Sequence, residues 1–226
     1  AFVYAVWVCD ACLTPLPIEL TSAEKQQVFE FVQMDYVISH KRLLNQITFG
    51  IEEESADLVY DAVFARAKTF CDVPTELKDV NPAFIRFTSG TTGDAKGVVL
   101  SHESIYERIH AANKVLNISE QDRTLWLLSM DYHFAVSIVA YLTFGSSIIL
   151  PKNSFGITLL TAANTHQATF IYGSPTHYMM MVQDDSGAEL PKTLRAAIVT
   201  TTALGSEAAT AFYERFAWVL NETYGI

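Results

Sequence analysis

The sequence predicts an α/β protein with a largely parallel β-sheet flanked by helices. From about residue 84 onward, short apolar segments alternate with longer segments that have helical patterning. Many of these helical segments are about ten residues or longer, which suits crossover connections between parallel strands. No linker rich in Pro, Gly or Ser divides the chain. We therefore interpret residues 1–226 as belonging to one domain.

The elements are predicted in order from their periodicity. Residues 22–33 form an amphipathic helix, because Val28 and Phe29 stand among polar residues, and a short strand follows at 36–39. A strand at 84–87 runs into a Gly/Thr-rich turn. The remaining elements are predicted as helix 101–116, strand 124–128, helix 135–144, strand 147–150, helix 156–164, strand 169–172, helix 175–182, strand 196–200, helix 206–216 and strand 218–220.

Composition excludes several classes of protein. Half of the 226 residues are hydrophobic, which excludes intrinsic disorder. Asp and Glu total 25 against 15 Lys and Arg, and this acidity disfavours nucleic acid and anionic lipid as partners. Three cysteines cannot build a disulfide framework, so a cytoplasmic location is expected. The apolar run 134–151 is interrupted at Gly145, so we predict a buried helix and strand there and no membrane span. A homo-oligomer is compatible with the sequence.

The strongest chemical signal is a loop of small and hydroxyl residues. Glycines allow close approach of the backbone to a ligand, hydroxyls add donors, and one lysine supplies a full positive charge, a combination that suits a polyphosphate. It is neither a Walker A loop nor a dinucleotide fingerprint, because its glycine spacing differs. The alternative is a flexible surface hairpin. The candidate phosphate-binding residues are Thr88, Ser89, Gly90, Thr91, Thr92, Gly93 and Lys96.

Residues 88–97 closely resemble the phosphate-binding signature of the adenylate-forming (AMP-binding) superfamily, which includes acyl-CoA synthetases and the adenylation domains of peptide synthetases. The sequence departs from the signature at Ala95, where the family usually has proline. The resemblance covers nearly the whole chain, and further matching stretches are 5–16, 129–133, 170–176, 194–204 and 221–226.

The resemblance implies part of the large N-terminal domain of an enzyme that activates a carboxylic acid with ATP and Mg²⁺ and transfers the acyl group to a thiol such as CoA. The full-length protein is then an AMP-forming acid–thiol ligase, and the similarity to acyl-CoA synthetases suggests fatty acid metabolism. Its partner is a small-molecule carboxylate. By resemblance, His133 is catalytic and lines the acyl pocket with Phe134 and Pro175, adenine is contacted by Thr202, Ala203, Tyr224 and Gly225, and no residue is assigned to a metal.

The family pattern also predicts a truncated domain. The chain stops at Ile226, before the expected Thr and Glu of the last motif, and the small C-terminal domain is absent, so the fragment alone is expected to be inactive. Two alternatives stay open. The first is an amino-acid adenylation domain of a peptide synthetase, because by resemblance such domains have an Asp near the position of Asp131 to meet the substrate amine. The glycine-free run 200–202 keeps a non-catalytic nucleotide-binding fragment in view.

Other residues receive structural interpretations. Cys9 and Cys12 resemble a redox pair or half of a zinc site, but we expect them to be small buried residues. His102 is expected near a helix cap. His177 and the methionines at 179–181 fit an acyl pocket and a hydrophobic core equally well.

Overall fold

The computed structural model describes residues 2–46, 50–54, 61–88 and 96–223. By its internal contacts the chain divides into two compact units, residues 1–103 and 104–226. Each unit has its own sheets and its own core, and each is described separately below. No helix within the described ranges is long and apolar enough to cross a membrane.

The first unit is built on antiparallel strands. Its elements are α1 (Phe2–Val8), α2 (Ser22–Val32), β1 (Tyr36–His40), a 3₁₀ turn (Leu44–Gln46), β2 (Ile51–Glu54), β3 (Ala62–Ala67), α3 (Thr75–Asp79), β4 (Pro82–Thr88) and β5 (Lys96–Ser101). Among its described residues, β1, β3 and β2 form one sheet in that order, and β4 pairs with β5 in a second.

The helix α2 begins where its sequence provides a capping box. The Thr21 side chain accepts the Glu24 backbone N–H, and the Glu24 carboxylate accepts the Thr21 backbone N–H at 2.8 Å. Phe29 then packs with Val37 and Ala65 in the core between α2 and the three-stranded sheet. The apolar residues of α2 and the alternation along β1 and β3 therefore converge on one buried layer.

The second unit contains the predicted parallel sheet. The helix α4 (His102–Leu116) leads into it. The other elements are β6 (Arg123–Trp126), α5 (Met130–His133), a π-helical turn (Phe134–Ile138), α6 (Val139–Thr143), β7 (Ser147–Ile149), α7 (Gly156–Thr165), β8 (Phe170–Gly173), α8 (Pro175–Val182), β9 (Ala196–Val199), α9 (Ser206–Phe216) and β10 (Asn221–Glu222). Among the residues described, the strands of the sheet run in the order β10-β9-β8-β6-β7, and all four pairings are parallel.

Both faces of the central strands are covered, which explains why β8 and β9 consist of apolar and aromatic residues and one glycine. Leu125 and Ile171 belong to the core cluster that includes residues of α7, α8 and α9. Their neighbours Trp126 and Phe170 belong to the cluster with Ile138 and Tyr141 on the opposite face. Successive side chains of a strand point to opposite faces, so each strand serves two cores.

The predicted fold class is confirmed, and four local expectations are corrected. Among the described strands, parallel pairing is confined to the second unit, and strands β2 and β3 were not predicted. The chain forms strand β5 before the helix that was predicted from residue 101. The last strand is 221–222, beyond the predicted 218–220. The predicted helix 135–144 begins earlier and contains the π turn.

Candidate functional site

The predicted site residues of the second unit follow strands of one parallel sheet. His133 follows β6, Pro175 follows β8, and Thr202 and Ala203 follow β9. Because these strands are parallel, the segments that follow them lie at the same carboxyl edge. This edge is where open α/β sheets usually bind ligands. The topology thus brings together residues that are as far apart in sequence as 133 and 203.

His133 lies beside a stacked pair of aromatic rings, of which Trp126 is buried and Tyr172 is partly buried. The rings of Trp126 and Tyr172 stack at 4.9 Å between centroids with an angle of 9° between their planes. The His133 ring meets Trp126 edge-on at 5.6 Å and Tyr172 at 6.3 Å. The Trp126 Nε1–H donates to the Leu128 carbonyl at 2.6 Å, which fixes that indole. His133 is half-buried, so packing orients the imidazole while part of it stays accessible.

The chain directly after His133 forms the π turn. Phe134 opens this turn, and the Val139 N–H donates back to the Phe134 carbonyl. A π turn adds one residue to a single turn of a helix. The apolar residues on both sides still look helical, so hydrophobic periodicity does not reveal the turn. Such turns occur frequently at functional sites. The sequence analysis therefore did not predict the π turn, which only the structure shows, directly after the candidate catalytic residue His133.

A small depression opens at the carboxyl ends of β6 and β7. Its volume is about 230 Å³. It is mainly apolar, and its lining residues are Trp126, Leu127, Leu128, Met130, Leu150, Pro151, Asn153 and Ser154. His133, Phe134 and Pro175, the residues assigned to an acyl pocket by resemblance, do not line this depression. Trp126 and Leu128 line this depression, and sequence reasoning did not single them out.

The segment between β8 and α8 is held by an unusual cap. Ser174 is the N-cap of α8, and the imidazole of His177 takes the place of the usual Glu or Gln in a capping box. The His177 Nδ1 lies 2.7 Å from the Ser174 Oγ and accepts the Ser174 backbone N–H at 3.2 Å. Burial lowers the pKa of His177. The sequence analysis could not decide whether His177 lines a pocket or packs in the core. The structure places it in the cap of α8, next to Pro175.

The loop after β9 carries two of the candidate adenine residues. The Thr200 N–H donates to the Gly173 carbonyl at 3.1 Å, and the Leu204 N–H donates to the Glu222 Oε1 at 2.9 Å. Thr201 between them has φ +82°, a left-handed conformation that favours glycine. Thr202 and Ala203 are exposed. Tyr224 and Gly225 lie outside the described residues.

The candidate phosphate loop lies in the first unit, between two paired strands. Thr88 and Lys96 are opposite each other in the antiparallel register of β4 and β5. The loop therefore joins the strands of a hairpin, and the expected strand–loop–helix order is wrong because 96–101 pairs with β4 first. Lys96 is exposed. Ser89, Gly90, Thr91, Thr92 and Gly93 lie outside the described residues.

The expectation about the cysteines can also be compared with the structure. Cys9 and Cys71 are exposed and Cys12 is only partly covered, so the expectation of small buried cysteines is wrong. Burial raises the pKa of Cys12 to about 11, which disfavours a reactive thiolate there. Across the described ranges, no group of three or more His, Cys, Asp or Glu side chains is placed to hold a metal ion.

The opposite, amino edge of the sheet carries a charged clamp. The Asp122 carboxylate accepts the Arg195 Nε–H at 3.1 Å, the Arg195 Nη2–H at 2.9 Å and the Thr169 hydroxyl at 2.8 Å. Asp122, Thr169 and Arg195 directly precede β6, β8 and β9, so the clamp ties the beginnings of three strands together. Its position away from the carboxyl edge indicates a structural role.

Comparisons with known proteins address the whole chain. A family model described as AMP-binding enzyme matches residues 1–226. Among curated proteins, the medium-chain acyl-CoA ligase ACSF2 of Danio rerio is 31% identical over 116 residues, covering 49% of this chain and 19% of the ligase. The AM-toxin synthetase AMT1 of Alternaria alternata is 37% identical over 79 residues, covering 34% of this chain and 2% of the synthetase.

Solved structures share the fold. A malonyl-CoA ligase with methylmalonyl-CoA and AMP bound superposes with a TM-score of 0.77 at 19% identity, covering 99% of this chain and 48% of the ligase. The nonribosomal peptide synthetase FmoA3, bound to AMPPNP, gives a TM-score of 0.67 at 16% identity, covering 95% of this chain and 23% of the synthetase. The chain thus spans less than half the length of either protein.

Proposed function

Since this chain belongs to the AMP-binding enzyme family, we propose that the whole protein is an acid–thiol ligase. It activates a carboxylic acid with ATP and then transfers the acyl group to a thiol such as CoA. Residues 1–226 form part of its large domain in this proposal. The observation that carries it is the carboxyl edge of the parallel sheet, where His133, Pro175 and the loop with Thr202 follow neighbouring strands.

The proposed reaction has two steps. A carboxylate oxygen of the acid attacks the α-phosphorus of ATP, the bond from that phosphorus to the bridging oxygen breaks, and pyrophosphate leaves. The thiol sulfur then attacks the acyl carbon, its proton goes to solvent, and AMP leaves with the former carboxylate oxygen. Both steps move negative charge, so the protein contributes mainly by positioning the reactants and stabilising anions.

Roles are proposed for residues of each unit separately. In the first unit the hydroxyls and glycines from Thr88 to Gly93, together with Lys96, bind the phosphates of ATP. In the second unit Thr202, Ala203, Tyr224 and Gly225 contact adenine. His133, held edge-on to Trp126 and Tyr172, orients the carboxylate, with Phe134 and Pro175 against the acyl chain.

Mg²⁺ is proposed only as the counter-ion of ATP. The described residues offer no cluster of three metal ligands, and the donors of the phosphate loop are hydroxyls, backbone amides and a lysine, which bind anions. They do not fit a protein-held metal site. We therefore assign no step to a metal ligand of the described chain.

The amino-acid adenylation domain of a peptide synthetase is the second candidate. The similarity to the AM-toxin synthetase, 37% identical over 79 residues, favours it. Asp131 is the residue proposed to meet a substrate amine. Its carboxylate already accepts the Ser129 hydroxyl at 2.9 Å, at the N-cap of α5, so we prefer a simple acid. A substrate panel separates the two: pyrophosphate exchange driven by amino acids and by no simple acid contradicts our preference.

The central experiment changes Lys96 to Ala in the full-length protein. Loss of a charged contact to phosphate lowers ATP affinity by about 10- to 100-fold, measured as the ATP dependence of carboxylate-driven pyrophosphate exchange. Lys78→Ala, an exposed lysine in α3, is the control and should leave exchange unchanged. If Lys96→Ala also leaves it unchanged, the phosphate-binding role is wrong. ATP binding without any exchange in the wild-type protein supports a non-catalytic nucleotide-binding protein instead.

A further inference from the structure

The turn between β8 and α8 is the point where the second unit's site segments meet. The Gly173 carbonyl accepts the Thr200 N–H, so the turn is tied to the segment after β9. On its other side Gly173 packs closely on the segment after β6, because a Cβ at this position would lie 3.1 Å from the Leu127 Cδ1 and 3.4 Å from the His177 Cβ. A shift of this turn therefore disturbs segments that follow three strands.

The hydrogen bonds of this turn indicate the tautomer of His177. A backbone N–H can only donate, so the His177 Nδ1, 3.2 Å from the Ser174 N, must offer its lone pair. The Ser174 hydroxyl, 2.7 Å from the same Nδ1, then donates as well. An imidazolium or an Nδ1–H tautomer has no lone pair at that nitrogen. The Ser174 N–H contact therefore favours neutral His177 with its proton on Nε2.

We propose that His177, as the neutral Nε2–H tautomer, is a positioning residue that locks the Ser174–Pro175 turn at the carboxyl edge of the sheet. This inference rests on the proposed function, in which Pro175 lies against the acyl chain. His177 acts through Ser174 and the start of α8 and does not touch the reacting atoms. Loss of the lock weakens binding of the carboxylic acid and leaves the chemical step intact.

Two variants separate a positioning role from a direct one. Glutamine is a natural capping-box acceptor at this helix position, so His177→Gln keeps the lock, whereas His177→Ala removes it. In the full-length protein we expect His177→Ala to raise the KM for the acid several-fold with kcat nearly unchanged, because the Ser174–Pro175 turn loses the acceptor that holds it. His177→Gln should keep the wild-type KM. The exposed His166, just after α7, provides the control His166→Ala.

The lock is also measured without any substrate. The ¹⁵N shifts of the imidazole report its tautomer, and we expect the Nε2–H form for His177 at neutral pH. An Nδ1–H form or an imidazolium overturns the proposal, as does an unchanged KM in His177→Ala. A kcat loss in His177→Gln as large as in His177→Ala also overturns it, because the imidazole then acts directly. If the wild-type protein drives no acid-dependent exchange, the proposed function fails, and the catalytic part of this inference fails with it, whereas the tautomer result still decides whether the lock exists.

Discussion

Replacement of Asp122 by Asn tests whether the clamp at the amino edge holds the parallel sheet together. The Asp122 side chain is 3% exposed and accepts the Arg195 guanidinium through both oxygens. It also accepts the Thr169 hydroxyl and the Ser119 backbone N–H. Asn keeps the shape and one acceptor oxygen, but it loses the charge and the two-point contact with Arg195.

The expected cost follows from the burial of the two partners. Removing one partner of a fully buried ion pair costs about 3–5 kcal/mol. Arg195 is 43% exposed, so water solvates the charge that is left behind, and we expect a loss of about 2 kcal/mol in the free energy of unfolding. The Asp122–Arg195 pair is 73 residues apart in sequence, so the loss measures tertiary structure and not local helix stability.

The stabilisation by Asp122 should depend on pH. Burial opposes ionisation of Asp122, but hydrogen bonds from Arg195 and Thr169 outweigh it and lower the pKa of this carboxyl. Its folded pKa is therefore below its unfolded value, so its stabilisation is complete above about pH 4 and is lost as the pH falls through the folded pKa. The difference in free energy of unfolding between the wild type and Asp122→Asn should therefore narrow in acid.

Urea unfolding of the wild type and of Asp122→Asn, at pH 7 and at several acidic pH values, measures both effects. Glu189→Gln is the control, because Glu189 is 71% exposed in its pair with Arg215 at 3.3 Å and should cost less than about 1 kcal/mol. The reasoning is refuted if Asp122→Asn costs no more than Glu189→Gln. If the difference in free energy of unfolding between the wild type and Asp122→Asn stays constant as the pH falls below the folded pKa of Asp122, the electrostatic part of the reasoning is wrong.

Two further substitutions test backbone geometry. Thr201→Gly should raise the free energy of unfolding by about 1 kcal/mol, because glycine relieves the left-handed φ of +82°. Thr202 has no such φ, so Thr202→Gly should lower the free energy of unfolding. If both substitutions change the free energy of urea unfolding in the same direction, Thr201 is not strained. Gly156→Ala should cost about 3 kcal/mol or more, because its Cβ would lie 2.1 Å from the Met180 carbonyl oxygen. Gly205→Ala meets nothing within 4 Å and should cost about 1 kcal/mol or less, so similar losses in thermal unfolding would contradict this packing.

Residue patterns predicted some features of the candidate site and not others. Small and hydroxyl residues with one lysine led to the predicted phosphate loop, whose role stays a prediction. The family resemblance suggested roles for His133, Pro175 and Thr202, and the structure places these residues after β6, β8 and β9. Patterns did not predict β5. Its six residues, Lys96–Ser101, are strand because they pair with β4, and the helix that was predicted from residue 101 begins immediately after it.

The sequence by itself determined the α/β class, most of the alternating elements of the second unit and the family. These depend on periodicity and on contiguous motifs, which are local properties of a chain. Only the tertiary structure decided the strand order β10-β9-β8-β6-β7, the clamp between Asp122 and Arg195, and the role of His177 as an acceptor for Ser174. Each of these depends on which partners meet in space, and hydrogen bonds and burial that join distant segments leave no periodic signal in the sequence.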